Sequence, residues 1–240
     1  MVVLSLSSIP SRFKYLPAIV QQLLKLHPTC PLYVCIPDTY KRFTGEFSIP
    51  TFEDPRVKVL RGPDYGPATK FLLTALEVSE DEKIVYVDDD TCYPQSLVMC
   101  LLHDDDGVYG LSGFKFDQYF SGTIIRGHME EVDVIEGYGG VCVPAKILKN
   151  NFNLILNFLE LTSYVDDDMS VSNLYKFLKV PVRTVYLAGC HVGLVRQYQY
   201  GFESDAIHRN NGEGSHLQNN KRILKTFSDK NCNHFNYNVD

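Results

Sequence analysis

Asp88, Asp89 and Asp90 stand in a row directly behind the apolar run Ile84–Val87. That run is four β-favouring residues, preceded by the charged stretch Glu80–Lys83 and followed by a turn ending at Pro94, and it reads as a buried strand. Carboxylates packed at a strand's end repel one another unless something positive sits among them. A divalent cation meets that requirement, and hard oxygen ligands suit Mn²⁺ or Mg²⁺. Mg²⁺ binds through one or two carboxylates plus substrate phosphates, so a diphosphate is its expected companion. In an extended segment Asp88 and Asp90 project to one face and Asp89 to the other. One face would then offer paired carboxylates to a metal, and Asp89 would contact ribose or a backbone amide. An exposed acidic turn is the rival reading, and it suits Asp104–Asp106, which follows a helix-like run and precedes Gly107.

Two further groups have the composition of a site. Asp166, Asp167 and Asp168 open a helix-like stretch, where capping and the macrodipole favour aspartate. One aspartate is enough for a cap, so three leave room for another use. Glu136–Gly137–Tyr138–Gly139–Gly140 sets glycines just before a strand, which permits positive φ and close approach to a substrate, or simply makes a tight turn. No GxxxxGK[ST] phosphate loop is present.

The elements that must position these groups alternate between strand and helix over the first hundred residues. Strands are predicted at Val2–Ser7, Leu32–Ile36, Val57–Leu60 and Ile84–Val87, with helices at Leu16–Leu26 and Ala68–Glu77. This alternation predicts parallel βαβ units whose ligands gather at the carboxyl ends of the strands. Arg12, Asp38, Asp64 and Asp88–Asp90 all follow strand ends and are expected at one rim. In the second half, Val108–Gly113, Val141–Val143 and Arg183–Ala188 read as strands. Pro144–Leu161 reads as a helix broken near Asn150–Asn151, and Asp166–Leu178 as a helix with an acidic first turn. From Tyr198 through Asn220 the chain turns rich in Asn, Gly, His and Ser, which reads as a long loop or lid, with Asn219–Phe227 as a candidate closing helix.

The 240 residues, 45% hydrophobic and 22% charged, suit a globular protein with a sizeable core. The formal net charge of −6 argues against a nucleic-acid partner. Apolar stretches such as Ile155–Leu161 are too short to span a bilayer, and no secretory signal is evident, so a cytoplasmic protein or a soluble domain of a larger one is expected. The 7 cysteines are scattered and include no CxxC pair, as reduced, mostly buried thiols would be.

Val85–Tyr86–Val87–Asp88–Asp89–Asp90 resembles the DXD element of GT-A-fold glycosyltransferases, which use nucleotide sugars. Ser7–Ser8–Ile9–Pro10–Ser11–Arg12 and Gly66–Pro67–Ala68–Thr69–Lys70 also look like parts of that family, in particular of small glycosyltransferases of large algal DNA viruses and of some bacteria. The resemblance covers essentially the whole chain in its order of elements, and the QxxRW signature of processive members is not visible. It implies an α/β, Rossmann-like GT-A fold with a mixed, mostly parallel central sheet flanked by helices. Residues 1–240 would form a single domain, with a nucleotide-binding half over 1–100 and an acceptor-side half over 101–240 that ends in the lid.

The resemblance also implies roles. Arg12 would face the nucleotide or its diphosphate, a surface arginine being the alternative. Asp38 would accept from base or ribose, or merely form a turn. Asp64 lies in a backbone poised for close approach, and Lys70 near a helix start would share a phosphate or remain a solvated lysine. Gly139 belongs to the segment beneath the donor sugar. Asp167, flanked by Asp166 and Asp168, would take the proton from the acceptor hydroxyl. Asp88 and Asp90 would hold Mn²⁺ or Mg²⁺, with His208 preferred over His191 and His216 as a further ligand. The implied reaction transfers a sugar from a nucleoside-diphosphate sugar, UDP favoured, to a hydroxyl of a glycan or other acceptor. A nucleotidyltransferase and a non-catalytic sugar- or nucleotide-binding module are the rivals.

Overall fold

The computed structural model describes residues 1–115, 124–164, 166–185 and 196–197. Strand β1 (Val2–Ser7) leads through a short 3-10 turn at Pro10–Arg12 into helix α1 (Leu16–Leu26). Leu16, Ile19, Val20, Leu23 and Leu24 recur at helical spacing and are all buried, so the apolar stripe dictates which face of α1 meets the sheet. Strands β2 (Leu32–Pro37) and β3 (Val57–Gly62) follow, then helix α2 (Thr69–Glu77) and strand β4 (Lys83–Val87). Next come β5 (Thr91–Cys92), α3 (Leu97–Leu101), β6 (Val108–Gly110) and β7 (Gly113–Phe114). Strands β8 (Glu130–Glu131), β9 (Val134–Ile135) and β10 (Val141–Pro144) precede helices α4 (Ala145–Asn150), α5 (Phe152–Leu161) and α6 (Asp167–Phe177). Strands β11 (Val182–Thr184) and β12 (Arg196–Gln197) complete the described elements.

Among the described residues the main sheet has eight strands in the order β3-β2-β1-β4-β10-β6-β11-β8. Strands β1 to β4 are mutually parallel, β10 runs antiparallel to both β4 and β6, β11 is parallel to β6, and β8 closes the edge antiparallel. The fold class is therefore α/β with a mixed, mostly parallel central sheet flanked by helices: the alternation predicted its parallel βαβ units, and the resemblance implied the mixed sheet. Helix layers cover both faces of the sheet. Ile84 and Tyr86 of β4 join a core with Phe71, Leu72 and Leu174, whereas Val85 and Val87 join the opposite core with Leu4, Leu6 and Leu97. All four are fully inaccessible, which is why this strand reads as a continuous apolar run instead of an alternating one. Each such side chain contributes about 1.5–3 kcal/mol on burial.

This sheet has a switch point. From β1 the chain steps outward to β2 and β3, then returns to place β4 on the other side of β1. The register pairs Leu6 with Val87, so Ser8 and Asp89 emerge side by side beyond the two strand ends. Ligands of open α/β sheets bind in the crevice formed at such a point.

The helix interruption falls at Asn151, as the sequence indicated, and Asp166 stands just outside α6 as its N-cap. The expected strand Val108–Gly113 is two strands: the backbone bends at Leu111, and Gly113–Phe114 leaves the main sheet to pair with β9. The expected Arg183–Ala188 strand is seen as Val182–Thr184, and residues beyond Val185 at its end lie outside the described ones. The segment Tyr198–Asn220 expected to form a lid, the expected closing helix Asn219–Phe227, and His191, His208 and His216 likewise lie outside the described residues. Among the described residues, Cys30, Cys35, Cys92, Cys100 and Cys142 form no disulfide, and three of them are buried. No helix among the described residues is long and apolar enough to cross a membrane.

Gly66 touches the corner before α6. Gly66 has a φ of +64°, and a Cβ on it would collide with the Tyr164 carbonyl. Ser163 and Tyr164 are themselves left-handed, at φ 54° and 59°, so the corner already carries strain. Tyr65 packs edge-on against Phe152 beside it, with ring centroids 5.8 Å apart. Gly66→Ala is expected to lower stability by about 2 kcal/mol or more, read as a reduced urea midpoint. An unchanged midpoint would show that the Ser163–Tyr164 corner yields freely.

Candidate functional site

A cleft of about 360 Å³ opens at the switch point, and both acidic triplets line it. Asp88–Asp90 enter from the end of β4 and Asp166–Asp168 from the start of α6. Arg12 and Lys70 are the buried cations among them, 8% and 4% exposed. Arg12 comes from the 3-10 turn after β1, and Lys70 is the second residue of α2.

The triplet at the strand end does not alternate as an extended segment would, because the chain turns at Asp89 and Asp90. Asp88 goes to Lys70, whose Nζ donates to Asp88 Oδ1 at 2.7 Å. Asp89 and Asp90 share Arg12, whose Nη1 lies 2.5 Å from Asp89 Oδ1 and 3.1 Å from Asp90 Oδ2. Ser8 Oγ donates to the second oxygen of Asp89 at 2.5 Å, so both oxygens of that carboxylate are taken. Burial pushes Asp89 above the ordinary carboxylate range, against the pull of Arg12 and Ser8. Asp90 is pushed up to about 7 by burial, then by Asp88 and Asp89, with Arg12 opposing. Burial is the larger cause for both, and repulsion among the carboxylates adds to it.

The second triplet divides its tasks. Asp166 caps α6, accepting from the Met169 amide at 2.9 Å, and burial pushes its carboxyl up to about 7 despite that bond. Asp168 accepts from the Gly137 amide at 2.9 Å, tying α6 to the glycine-rich turn. Burial raises Asp168 well above its ordinary value, Asp167 adding to the effect and Lys70 opposing it. Asp167 Oδ2 lies 3.0 Å from Lys70 Nζ, an ion-pair contact without the alignment of a hydrogen bond. Burial alone would lower the Lys70 ammonium, but Asp167, Asp88 and Asp168 outweigh it and hold it well above its ordinary value.

The other expected site residues are placed less uniformly. Asp64 lines the cleft, one oxygen accepting from the Lys41 amide and the other from the Gly66 amide, both at 2.7 Å. Asp38 stands at the rim outside the cleft lining, exposed and 3.1 Å from Arg61 Nε. Gly139 is buried behind the lining residue Tyr138, where a Cβ would come 3.2 Å from that of Leu111. Its contribution is close packing of the turn. Gly140, at φ +86°, then lets that turn enter β10.

Sequence reasoning missed several lining or supporting groups. Tyr93 accepts from the Asp88 amide at 2.8 Å and donates to the Tyr138 carbonyl at 2.9 Å, joining the strand-end triplet to the glycine-rich turn. Tyr40 donates to the Ser8 carbonyl at 2.8 Å and forms the cleft wall with Phe43. Tyr164 completes the mouth, with Lys41 Nζ 3.1 Å from its ring centroid. Only Ser8 carried a signal, lying in the polar turn that also holds Arg12. The tyrosines have no distinctive spacing, because long-range packing brings them to the cleft.

The donor chemistry suits a hard divalent cation. Asp88 and Asp90 both line the cleft and offer carboxylate oxygens, the hard ligands such an ion takes. Among the described residues no three His, Cys, Asp or Glu side chains form a ready metal cage.

No protein-family model matches the sequence, and no curated protein matches it. Among solved structures, the chain is similar to the galactosyltransferase LgtC, described with donor and acceptor sugar analogs, at 12% identity and TM-score 0.49, over 77% of this chain and 73% of that one. The mannosyltransferase PcManGT of Pyrobaculum calidifontis, described with GDP-Man and Mn²⁺, is similar at 10% identity and TM-score 0.47, over 80% of this chain and 58% of that one. The 2-C-methyl-D-erythritol 4-phosphate cytidylyltransferase of Francisella tularensis is similar at 9% identity and TM-score 0.47, over 80% and 92%. Likenesses this distant decide nothing about chemistry, so function has to be argued from the cleft.

Asp166 gives the cleft a pH signature. Its folded value of about 7 lies above the ordinary 3.8, so between those values the folded protein keeps a proton that the unfolded chain has released. The resulting stability is full below the unfolded value and is lost as pH rises through the folded one. Asp166→Asn keeps an acceptor for the Met169 amide and removes the titration. The variant is expected to gain on the wild type by about 1–3 kcal/mol as pH rises from about 5 to about 8, then level off, in urea unfolding at several pH values. A pH-independent difference would show that the charged form is buried without penalty.

Proposed function

We propose that the protein is a metal-dependent glycosyltransferase that moves a sugar from a nucleoside-diphosphate sugar, UDP favoured, to a hydroxyl of a glycan or other acceptor. One observation carries this reading: two acidic triplets from distant parts of the chain converge on one cleft at the sheet's switch point, with Lys70 between them. A binding module has little use for a second buried carboxylate group opposite the first.

Asp88 and Asp90 would hold Mn²⁺ or Mg²⁺, and phosphate oxygens would complete its shell, in keeping with how few protein ligands Mg²⁺ takes. Bound there, the cation would act as a Lewis acid offsetting charge on the leaving diphosphate. Arg12 keeps Asp89 and Asp90 in place on the donor side, and Lys70 does the same for Asp88. Asp64, with the wall of Tyr40 and Phe43, faces the nucleoside end, and Asp38 borders it from the rim. The turn around Gly139 sets Tyr138 against the sugar.

Asp167 is the aspartate of its triplet assigned as base. Asp166 is committed to the helix cap and Asp168 to the Gly137 amide, whereas among the described residues Asp167 meets Lys70 alone in the hydrogen-bond and ion-pair geometry. The acceptor oxygen would attack the anomeric carbon as its proton passes to Asp167, and the bond to the diphosphate would break with its electron pair leaving on the phosphate oxygen. His208, from the lid segment, is a candidate further ligand. A nucleotidyltransferase in the same cleft would release pyrophosphate instead of a nucleoside diphosphate, so product analysis separates the two.

Calorimetric titration with UDP, with and without Mn²⁺, tests the reading. UDP is expected to bind only with Mn²⁺, and Asp90→Asn to weaken that binding by at least about tenfold. Asp167→Asn is expected to keep UDP affinity within a few-fold while sugar transfer falls by about 10²–10⁴. Equal UDP binding with and without metal, or an Asp90→Asn variant that binds normally, would overturn the assignment.

A further inference from the structure

We propose that Lys70 is a positioning residue that competes with the donor-bound divalent cation for Asp88, so that loading the cation shifts the lysine's charge toward Asp167. This deepens the functional reading above and rests on it. The Lys70 ammonium is not directed to solvent. It sits 2.7 Å from Asp88 Oδ1 and 3.0 Å from Asp167 Oδ2, with the Tyr86 ring centroid 5.5 Å away. The glycine-rich turn leaves it no spare room, because a Cβ on Gly137 would lie 3.1 Å from Nζ and 2.8 Å from Asp168 Oδ1. Its helix start is fixed from below, where Ser5 Oγ bonds the Lys70 carbonyl.

An ammonium held this way is a built-in counter-ion. A divalent cation that takes the Asp88 carboxylate must share it with Lys70 or displace it, and two positive charges on one carboxylate repel. The other carboxylate within ion-pair distance of the ammonium is Asp167, the proposed base. Coupling of this kind is reciprocal: whatever Lys70 takes from cation affinity, the cation takes from the Lys70–Asp88 pair. A lysine that merely contacted phosphate would leave binding of the bare metal unchanged.

The test uses Mn²⁺ alone as the probe, with free Mn²⁺ followed by electron paramagnetic resonance on the full chain. Lys70→Met, confirmed as folded by circular dichroism, is expected to bind Mn²⁺ at least about tenfold more tightly than wild type. Asp167→Asn, which leaves Lys70 wholly to Asp88, is expected to bind it several-fold more weakly. Opposite shifts from two neighbours of one site are not produced by general loss of structure. Folded Lys70→Met with unchanged Mn²⁺ affinity and lost UDP affinity would make Lys70 a simple phosphate ligand and overturn the proposal. Should Lys70→Met not fold, Asp167→Asn decides, and unchanged Mn²⁺ affinity there overturns it. Absence of Mn²⁺ binding in the wild type, with or without UDP, would instead sink the functional reading itself and this inference with it.

Discussion

The molecule is organised around one electrostatic constraint: carboxylates from the end of β4 and the start of α6 share a cleft, and Lys70 and Arg12 hold them there. Burying an ion costs several kcal/mol, and an ion pair offsets this only when geometry and further hydrogen bonds are good. The geometry here is supplied by fixed elements. Arg12 is locked by the turn after β1, Lys70 by the seating of α2 on the sheet, and Asp168 by the Gly137 amide. An apolar cluster would have stabilised the same junction more cheaply. The cost is understandable if the charge serves chemistry, and the raised Asp90 records mainly the burial that this arrangement imposes.

The sheet makes the convergence possible. Parallel β1 and β4 end at the same height, and the antiparallel insertion of β10 beside β4 brings the glycine-rich turn back to that rim. Tyr93 then ties the turn to the backbone of Asp88, so the strand end, the turn and the start of α6 form one hydrogen-bonded unit. The strained Ser163–Tyr164 corner ahead of α6 packs directly against Gly66.

Much of this was legible in the sequence. The continuous apolar run before Asp88 marked a strand buried on both faces, and the helical spacing of α1 fixed both of its ends. Strand-end placement brought Arg12, Asp64 and Asp88–Asp90 to one rim as expected. Asp38 also reaches the rim, but its side chain pairs with Arg61 and does not line the cleft. Alternation within the triplet failed for a local reason: pattern rules hold while the chain stays extended, and it turns at Asp89. Lys70 illustrates the general limit. Helix spacing cannot distinguish a solvated lysine from one buried between carboxylates when one of its two partners comes from the other half of the chain.

The surplus of carboxylates also bears on what the cleft can accept. A bare diphosphate is itself strongly negative, and in a partly buried cleft screening by salt is weak, so those carboxylates of the two triplets that stay ionised would repel it. Arg12 and Lys70 do not reverse this, since their charge is already spent on Asp88, Asp89, Asp90 and Asp167. A diphosphate that arrives with a divalent cation presents the opposite face, a positive centre that carboxylates attract. The same excess that makes the cleft costly to fold would then select the metal complex of a nucleotide over the free anion. Specificity of this kind needs no dedicated phosphate loop, which accords with the lack of one in the sequence.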